Sequence, residues 1–162
     1  MLTSRNHNAF TSIFSIALVA TALGLTACSS PTVTDADIKT RQNTMKGWSD
    51  ATGIMGDMIE APNTFDAAEF KAQATFLAKD STSPWSHFES KDSMGNATEA
   101  VWSNKEGFAA EAEKFQQATA ALNNVAQSAT QVSDVQPAFA DVGASCKSCH
   151  TDFKVKNNRR LL

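Results

Sequence analysis

Apolar residues recur along most of the chain at steps of three and four, the spacing that gathers side chains on one face of a helix. In the first such segment Ile38, Met45, Trp48, Thr52, Met55 and Ile59 form one stripe, and Pro62 ends it. Ahead of the stripe, Thr34-Asp35-Ala36-Asp37 can cap the helix, because a side-chain oxygen accepts orphan backbone N–H groups and acids favour the positive end of the dipole. Asp66-Ala67-Ala68-Glu69 has the reciprocal cap pattern of a second helix, which runs to about Lys79 with Phe65, Ala72 and Phe76 predicted inward. Residues Asp80 to Gly95 are polar and broken by Pro84, which predicts a long surface connection; its Trp85 and Phe88 are large enough to fold back onto the core. A third helix is predicted from near Asn96-Ala97-Thr98-Glu99 to about Gln127, with Val101, Phe108, Ala112, Phe115, Thr119, Leu122 and Ala126 inward. The fourth starts between Ser133 and Pro137 and turns Phe139, Val142, Cys146, Cys149 and Phe153 inward. The prediction is an all-α, antiparallel four-helix bundle.

Composition agrees. The 162 residues include only 7 Gly and 4 Pro and no Tyr, which argues against a turn-rich β fold, and Ala, Gln, Lys and Glu fill the long segments. One core can be buried without disulfides or a structural metal. The net charge is −3 and no basic block stands among aromatics, so nucleic acid is not an expected partner. No Rossmann glycine pattern, P-loop, HExxH or GxSxG occurs.

Residues 1–27 read as an address. Arg5 stands in a short polar start and is followed by the apolar run from Ile13 to Leu25. The run closes on Leu25-Thr26-Ala27-Cys28, which resembles the bacterial lipobox; that resemblance implies a leader cut before Cys28, lipidation of its thiol, and a short tether over 28–34 before a bundle over 35–162. Ser29 favours sorting to the outer membrane. An ordinary cleavage site and an uncleaved anchor are the alternatives, and each of the three exports the remaining chain. Loss of Arg5 would leave that chain one charge more acidic.

The chemistry sits near the other end. Cys146-Lys147-Ser148-Cys149-His150 has the form CxxCH, the attachment signature of c-type haem. On a helix the two thiols lie near one face, where each can add to a porphyrin vinyl group, and the adjacent imidazole is carried to the iron. A redox dithiol and a zinc site are the competing readings. The dithiol usually follows a strand and opens a helix, and zinc would need four ligands where only Cys146, Cys149, His150 and the distant His87 are on offer. No Met follows His150, so any second axial group must come from upstream.

The pattern now resembles cytochrome c′, the four-helix-bundle class of c-type cytochromes, over nearly all of the chain after the leader. Four features carry the resemblance: Arg41-Gln42 with Met45 one turn on, Pro84-Trp85 followed by Phe88, Trp102 at the opening of the third helix, and Asp141-Val142-Gly143-Ala144-Ser145 leading into CxxCH. It implies one covalent haem c on Cys146 and Cys149 with His150 as proximal ligand, Arg41 beside a propionate, and Met45, Trp48, Trp85 and Phe88 around the distal face. In high-spin relatives the iron is five-coordinate and the residue at position 45 only covers it, admitting small uncharged ligands such as NO or CO; in low-spin relatives a Met near this place is the sixth ligand of an electron shuttle. Lys154 departs from the pattern, since relatives often place a stacked Arg there, and Lys keeps the charge without the plane.

The implied role is an electron carrier or gas-binding protein of the periplasm rather than an enzyme, with redox proteins as partners and a homodimer through the first two helices as a family habit. Lys147, Lys154, Lys156, Arg159 and Arg160 offer either a solvated terminus or a docking patch for an acidic partner. Met55 and Met58 are expected in the core, Met94 and His87 on the surface of the connection.

Overall fold

The computed structural model describes residues 33–156. Helix α1 spans Val33–Glu60, α2 Ala67–Asp80, α3 Ala100–Ser103, α4 Lys105–Ala126 and α5 Val132–Phe153. The four long helices form the bundle, α3 being a short lead-in to α4, and no helix among the described residues is long and apolar enough to cross a membrane. Packing is most extensive between α4 and α5, then α2 with α4 and α1 with α2; α1 and α5 meet only locally. The expected leader, Cys28, Ser29, Arg159 and Arg160 lie outside the described residues.

Each helix boundary has a local cause. α1 begins at Val33, so Thr34 lies inside its first turn instead of capping it, and the expected tether ends two residues early. It stops at Glu60, before Pro62 opens a 3-10 turn over Pro62–Thr64. α2 is capped by Asp66, whose Oδ1 accepts from the N–H groups of Ala68 and Glu69 at 2.9 and 3.1 Å. Only half of the reciprocal box forms, because Glu69 instead accepts from Gln73 at 2.7 Å.

The phase of α2 differs from the expected one. Phe70, Ala74 and Leu77 are fully buried, whereas Ala72 is exposed and Phe76 is 43% exposed. The error lies in counting from Phe65, which precedes the cap and is not on the helix. Phe65 packs on Phe70 with ring centroids 5.5 Å apart, the staple between the residue before the cap and the fourth helical residue. The stripe therefore starts at Phe70.

The third bundle helix is also broken once, at Asn104. The residue leaves helical geometry (φ −127°, ψ 62°), donates its N–H to the Ala100 carbonyl at 2.8 Å and accepts with Oδ1 from Gly107 N–H at 3.1 Å. One residue thus ends α3 with its backbone and starts α4 with its side chain. A Cβ at position 107 would fall 2.4 Å from Asn104 Nδ2, so glycine is what lets the cap reach.

α5 starts on a box that spacing alone did not indicate. Asp134 Oδ2 accepts from the N–H groups of Thr130 and Gln131 at 2.9 and 3.2 Å, and the Gln131 side chain returns the contact. These donors, the Thr130 N–H foremost, hold the Asp134 carboxyl below its ordinary value of 3.8. Pro137 lies inside α5, where its missing N–H leaves a carbonyl one turn back at the exposed Ser133.

The core centres on Met55, Phe70, Leu77, Leu122, Val135 and Val142, each 0% exposed. A second cluster of Ala97, Val101 and Phe153, with Phe88, Trp102, Phe108 and Cys149 against it, lies beside the connection. Met55 and Met58 are buried, as expected, and Trp85 packs back onto the core.

Phe70→Ala should cost about 3–5 kcal/mol in denaturant unfolding of the holoprotein, and Phe76→Ala under about 1 kcal/mol. Equal losses would restore the inward phase for Phe76. Because folding lowers the Asp134 pKa, its contribution is present above pH 3.8 and fades as pH falls through the lower folded value. Asp134→Asn should therefore lower stability at pH 7 and shrink the loss seen on acidification, read as thermal midpoint against pH.

Candidate functional site

Where α1 and α5 draw apart, two adjoining cavities of about 200 and 390 Å³ open between them. Met45, Ser49, Trp85, Cys149 and His150 border both, so they are two parts of one cleft. α5 supplies one wall: Cys146 and Cys149, one turn apart, are half-buried, and His150 follows at the exposed mouth. α1 supplies Arg41, Gln42, Met45 and Trp48, the connection Trp85 and Phe88, and Lys154 stands just beyond α5. All ten of these residues, singled out from sequence as haem-contacting, thus line one space.

The thiols do not have the electrostatics of a redox dithiol. Burial raises the Cys146 pKa, and burial together with the charges of Glu111, Cys146 and Asp152 pushes Cys149 up to about 11. Reactive cysteines need the opposite shift. A zinc site is no better supported, because among the described residues no group of three or more His, Cys, Asp or Glu side chains is placed to hold a metal ion. Although His150 is exposed at the mouth, partial desolvation of its ring against the cleft, then the Lys154 charge, shifts its pKa down and favours the neutral imidazole that can ligate.

Arg41 is 5% exposed. Its Nη2 donates to the Ser93 carbonyl and its guanidinium lies 4.4 Å over the Phe88 ring, while Nη1 has no partner. Burial lowers its pKa and Asp37 pulls the other way, yet a guanidinium stays charged. A buried cation with a free N–H at the rim of an apolar cleft fits a carboxylate group brought in by a ligand. Two thiols on one face and an adjacent imidazole fit a covalently held haem, and this guanidinium fits the carboxylates such a group carries.

Aromatic rings run the length of the cleft. Trp48 meets Phe115 at 4.5 Å and Trp85 at 6.0 Å; Trp85 meets Phe108 at 5.8 Å, and Phe108 meets Phe153 at 5.2 Å. The indole N–H groups are committed elsewhere: Trp48 to Asp80 and Trp85 to the Ser81 carbonyl, both at 2.7 Å. Trp102, at the opening of α3, donates to the Phe88 carbonyl at 2.8 Å and so fixes the connection.

Two positions differ from expectation. Met94 is half-buried and borders the larger cavity, because the 3-10 turn Lys91–Ser93 is drawn in by the Arg41 bond to Ser93. His87 is not a loose surface residue: Nδ1 pairs with Asp37 Oδ1 at 2.8 Å, tying the connection to α1. Sequence reading also missed Glu111, which borders the smaller cavity. Its only signal was its place one turn from both Phe108 and Phe115, beside the apolar stripe.

Comparison with known proteins places the chain. The family model described as Cytochrome C' matches residues 36–154. Cytochrome c' from Alcaligenes xylosoxydans xylosoxydans is 31% identical over 119 residues, covering 74% of this chain and 93% of that protein. A solved structure of cytochrome c prime from Alcaligenes xylosoxidans, a ferrous variant with bound NO, superposes with a TM-score of 0.71 at 30% identity, over 76% of this chain and 97% of that one. A carbon monoxide bound variant of the same protein gives 0.71 at 29% identity with the same coverage, 76% and 97%. With this fold, a CxxCH near its end and the match over residues 36–154, the chain belongs to the cytochrome c′ family, four-helix-bundle proteins that carry one covalent haem c.

Proposed function

We propose that the haem is held by thioethers from Cys146 and Cys149, with His150 as proximal ligand, and that the protein binds NO or CO and passes single electrons. The convergence of these three residues on one cleft with the unpartnered Arg41 Nη1 carries the reading. Bound there, the haem would supply a redox-active iron, open to a small ligand unless Met45 occupies that place. Arg41 neutralises a propionate, with Gln42 beside it, and Lys154 keeps positive charge near the proximal imidazole.

Met45, Trp48, Trp85 and Phe88 make the distal wall. Both indole N–H groups are spent on Asp80 and Ser81, so this wall favours small uncharged ligands and offers no acid or base for catalysis. We read the site as one for ligand binding and electron carriage. The bound NO and CO of the solved relatives support the same reading.

A second reading rests on Met45 itself, which is half-buried and borders both cavities. As sixth ligand it would give a low-spin shuttle. We place the protein in the periplasm, anchored through a lipidated Cys28 and directed to the outer membrane, where it would meet redox proteins. The exposed Ile54 and Phe76 on α1 and α2 favour a homodimer through these helices.

The reduced and oxidised holoprotein should show a broad high-spin spectrum that shifts with CO, and Met45→Ala should speed CO association severalfold. Sharp low-spin bands indifferent to CO, converted to high-spin by the same substitution, would establish the Met45-ligated shuttle instead. The mass of the mature amino terminus should show a diacylated Cys28; an unmodified residue at any other start would remove the anchor.

A further inference from the structure

Glu111 is an acid in an unusual place. Its side chain is 12% exposed; Oε1 is held by Lys114 at 2.6 Å one turn along α4, and Oε2 is buried with no hydrogen-bond partner. The same side chain borders the cavity lined by Cys146, Cys149 and His150. Its neighbours across the helix contact are Ser148, whose hydroxyl faces it, and Cys149. Nothing in the haem-holding set uses this carboxylate.

We propose that Glu111 is an electrostatic determinant of the haem reduction potential, its carboxylate favouring the ferric form at the thioether edge. The inference rests on the haem reading above. On going from ferrous to ferric the iron centre gains one positive charge, so a fixed negative charge at the cleft wall stabilises the oxidised side of the couple. Glu111 lines the smaller cavity together with Cys149, the point at which the porphyrin edge would be joined. The Lys114 ammonium holds the carboxyl below its ordinary value, so it remains charged at neutral pH. Lys114 is 61% exposed and is itself solvated, so it offsets the charge only in part.

The arrangement gives opposite signs for two substitutions. Glu111→Gln keeps the shape, removes the charge and should shift the one-electron equilibrium about tenfold towards ferrous haem, 59 mV upward. Lys114→Gln uncovers the carboxylate and should move the potential downward by less. Because Oε2 is enclosed, the Glu111→Gln shift should persist at high salt, whereas a change at Glu113, an exposed acid on the same helix, should be small and screened. The experiment is an equilibrium titration with dithionite and ferricyanide on holoprotein whose absorption bands confirm unchanged iron coordination.

Opposite shifts for Glu111→Gln and Lys114→Gln support the proposal. A Glu111→Gln potential equal to wild type, or matched by Glu113→Gln, overturns it; if Glu111→Gln does not fold, an unmoved or raised potential in Lys114→Gln overturns it. A chain that shows no haem on a denaturing gel overturns the haem reading and this inference together, which separates the two failures.

Discussion

A guanidinium almost out of water organises this molecule. Burying the charge of Arg41 costs several kcal/mol unless contacts replace the lost solvent. Those contacts all come from the connection between α2 and α3: the Ser93 carbonyl accepts one N–H, and the Phe88 ring receives the cationic face. Asp37, one turn back on α1, adds its charge to Arg41 and its oxygen to His87. The long polar segment is thereby drawn onto α1, and the rings it carries become a wall. Trp102 and the Ser81 carbonyl fix the same rings from the other side.

The same gap explains the chemistry of the thiols. Helices that pack closely leave no room for a planar group, and here α1 and α5 touch only locally while α4 and α5 pack over their length. Cys146 and Cys149 face that gap from a helix otherwise committed to the core. Low polarity keeps them protonated, which ill suits thiols that must ionise to exchange disulfides.

The stripes in α1, α4 and α5 were legible because long helices repeat their phase many times, and Val101, Ala112, Phe115, Thr119, Leu122 and Ala126 are buried as their spacing predicts. α2 was misread because it is short and the nearest aromatic, Phe65, belongs to the turn before it. The break at Asn104 could not be seen in a hydrophobic pattern that continues in step across it; it lives in a polar side chain and a missing Cβ. CxxCH announced its chemistry through spacing, and the fold brings the other sequence-chosen residues to the same cleft. Met94 and Glu111 did not announce themselves. Their positions depend on which way a connection is pulled and how two helices rotate, information carried by tertiary contacts rather than by any local pattern.

One small feature at the chain's far end bears on how the cleft moves. Ala97 and Lys154 form an isolated bridge; Thr98 N–H donates to the Phe153 carbonyl and Val155 N–H to the Asn96 carbonyl, both at 2.9 Å. The end of α5 is thus stitched to the segment leaving the connection, which Arg41 and Asp37 already fasten to α1. Both sides of the cleft belong to one tethered body, and spreading them apart means breaking either these backbone hydrogen bonds or the side-chain contacts of Arg41 and Asp37. Opening without breaking those contacts is left to side-chain rotation, for which Met45, unbranched and bordering both cavities, has the rotatable bonds. A cleft braced in this way is suited to entry by changes of rotamer rather than by the swing of a hinge.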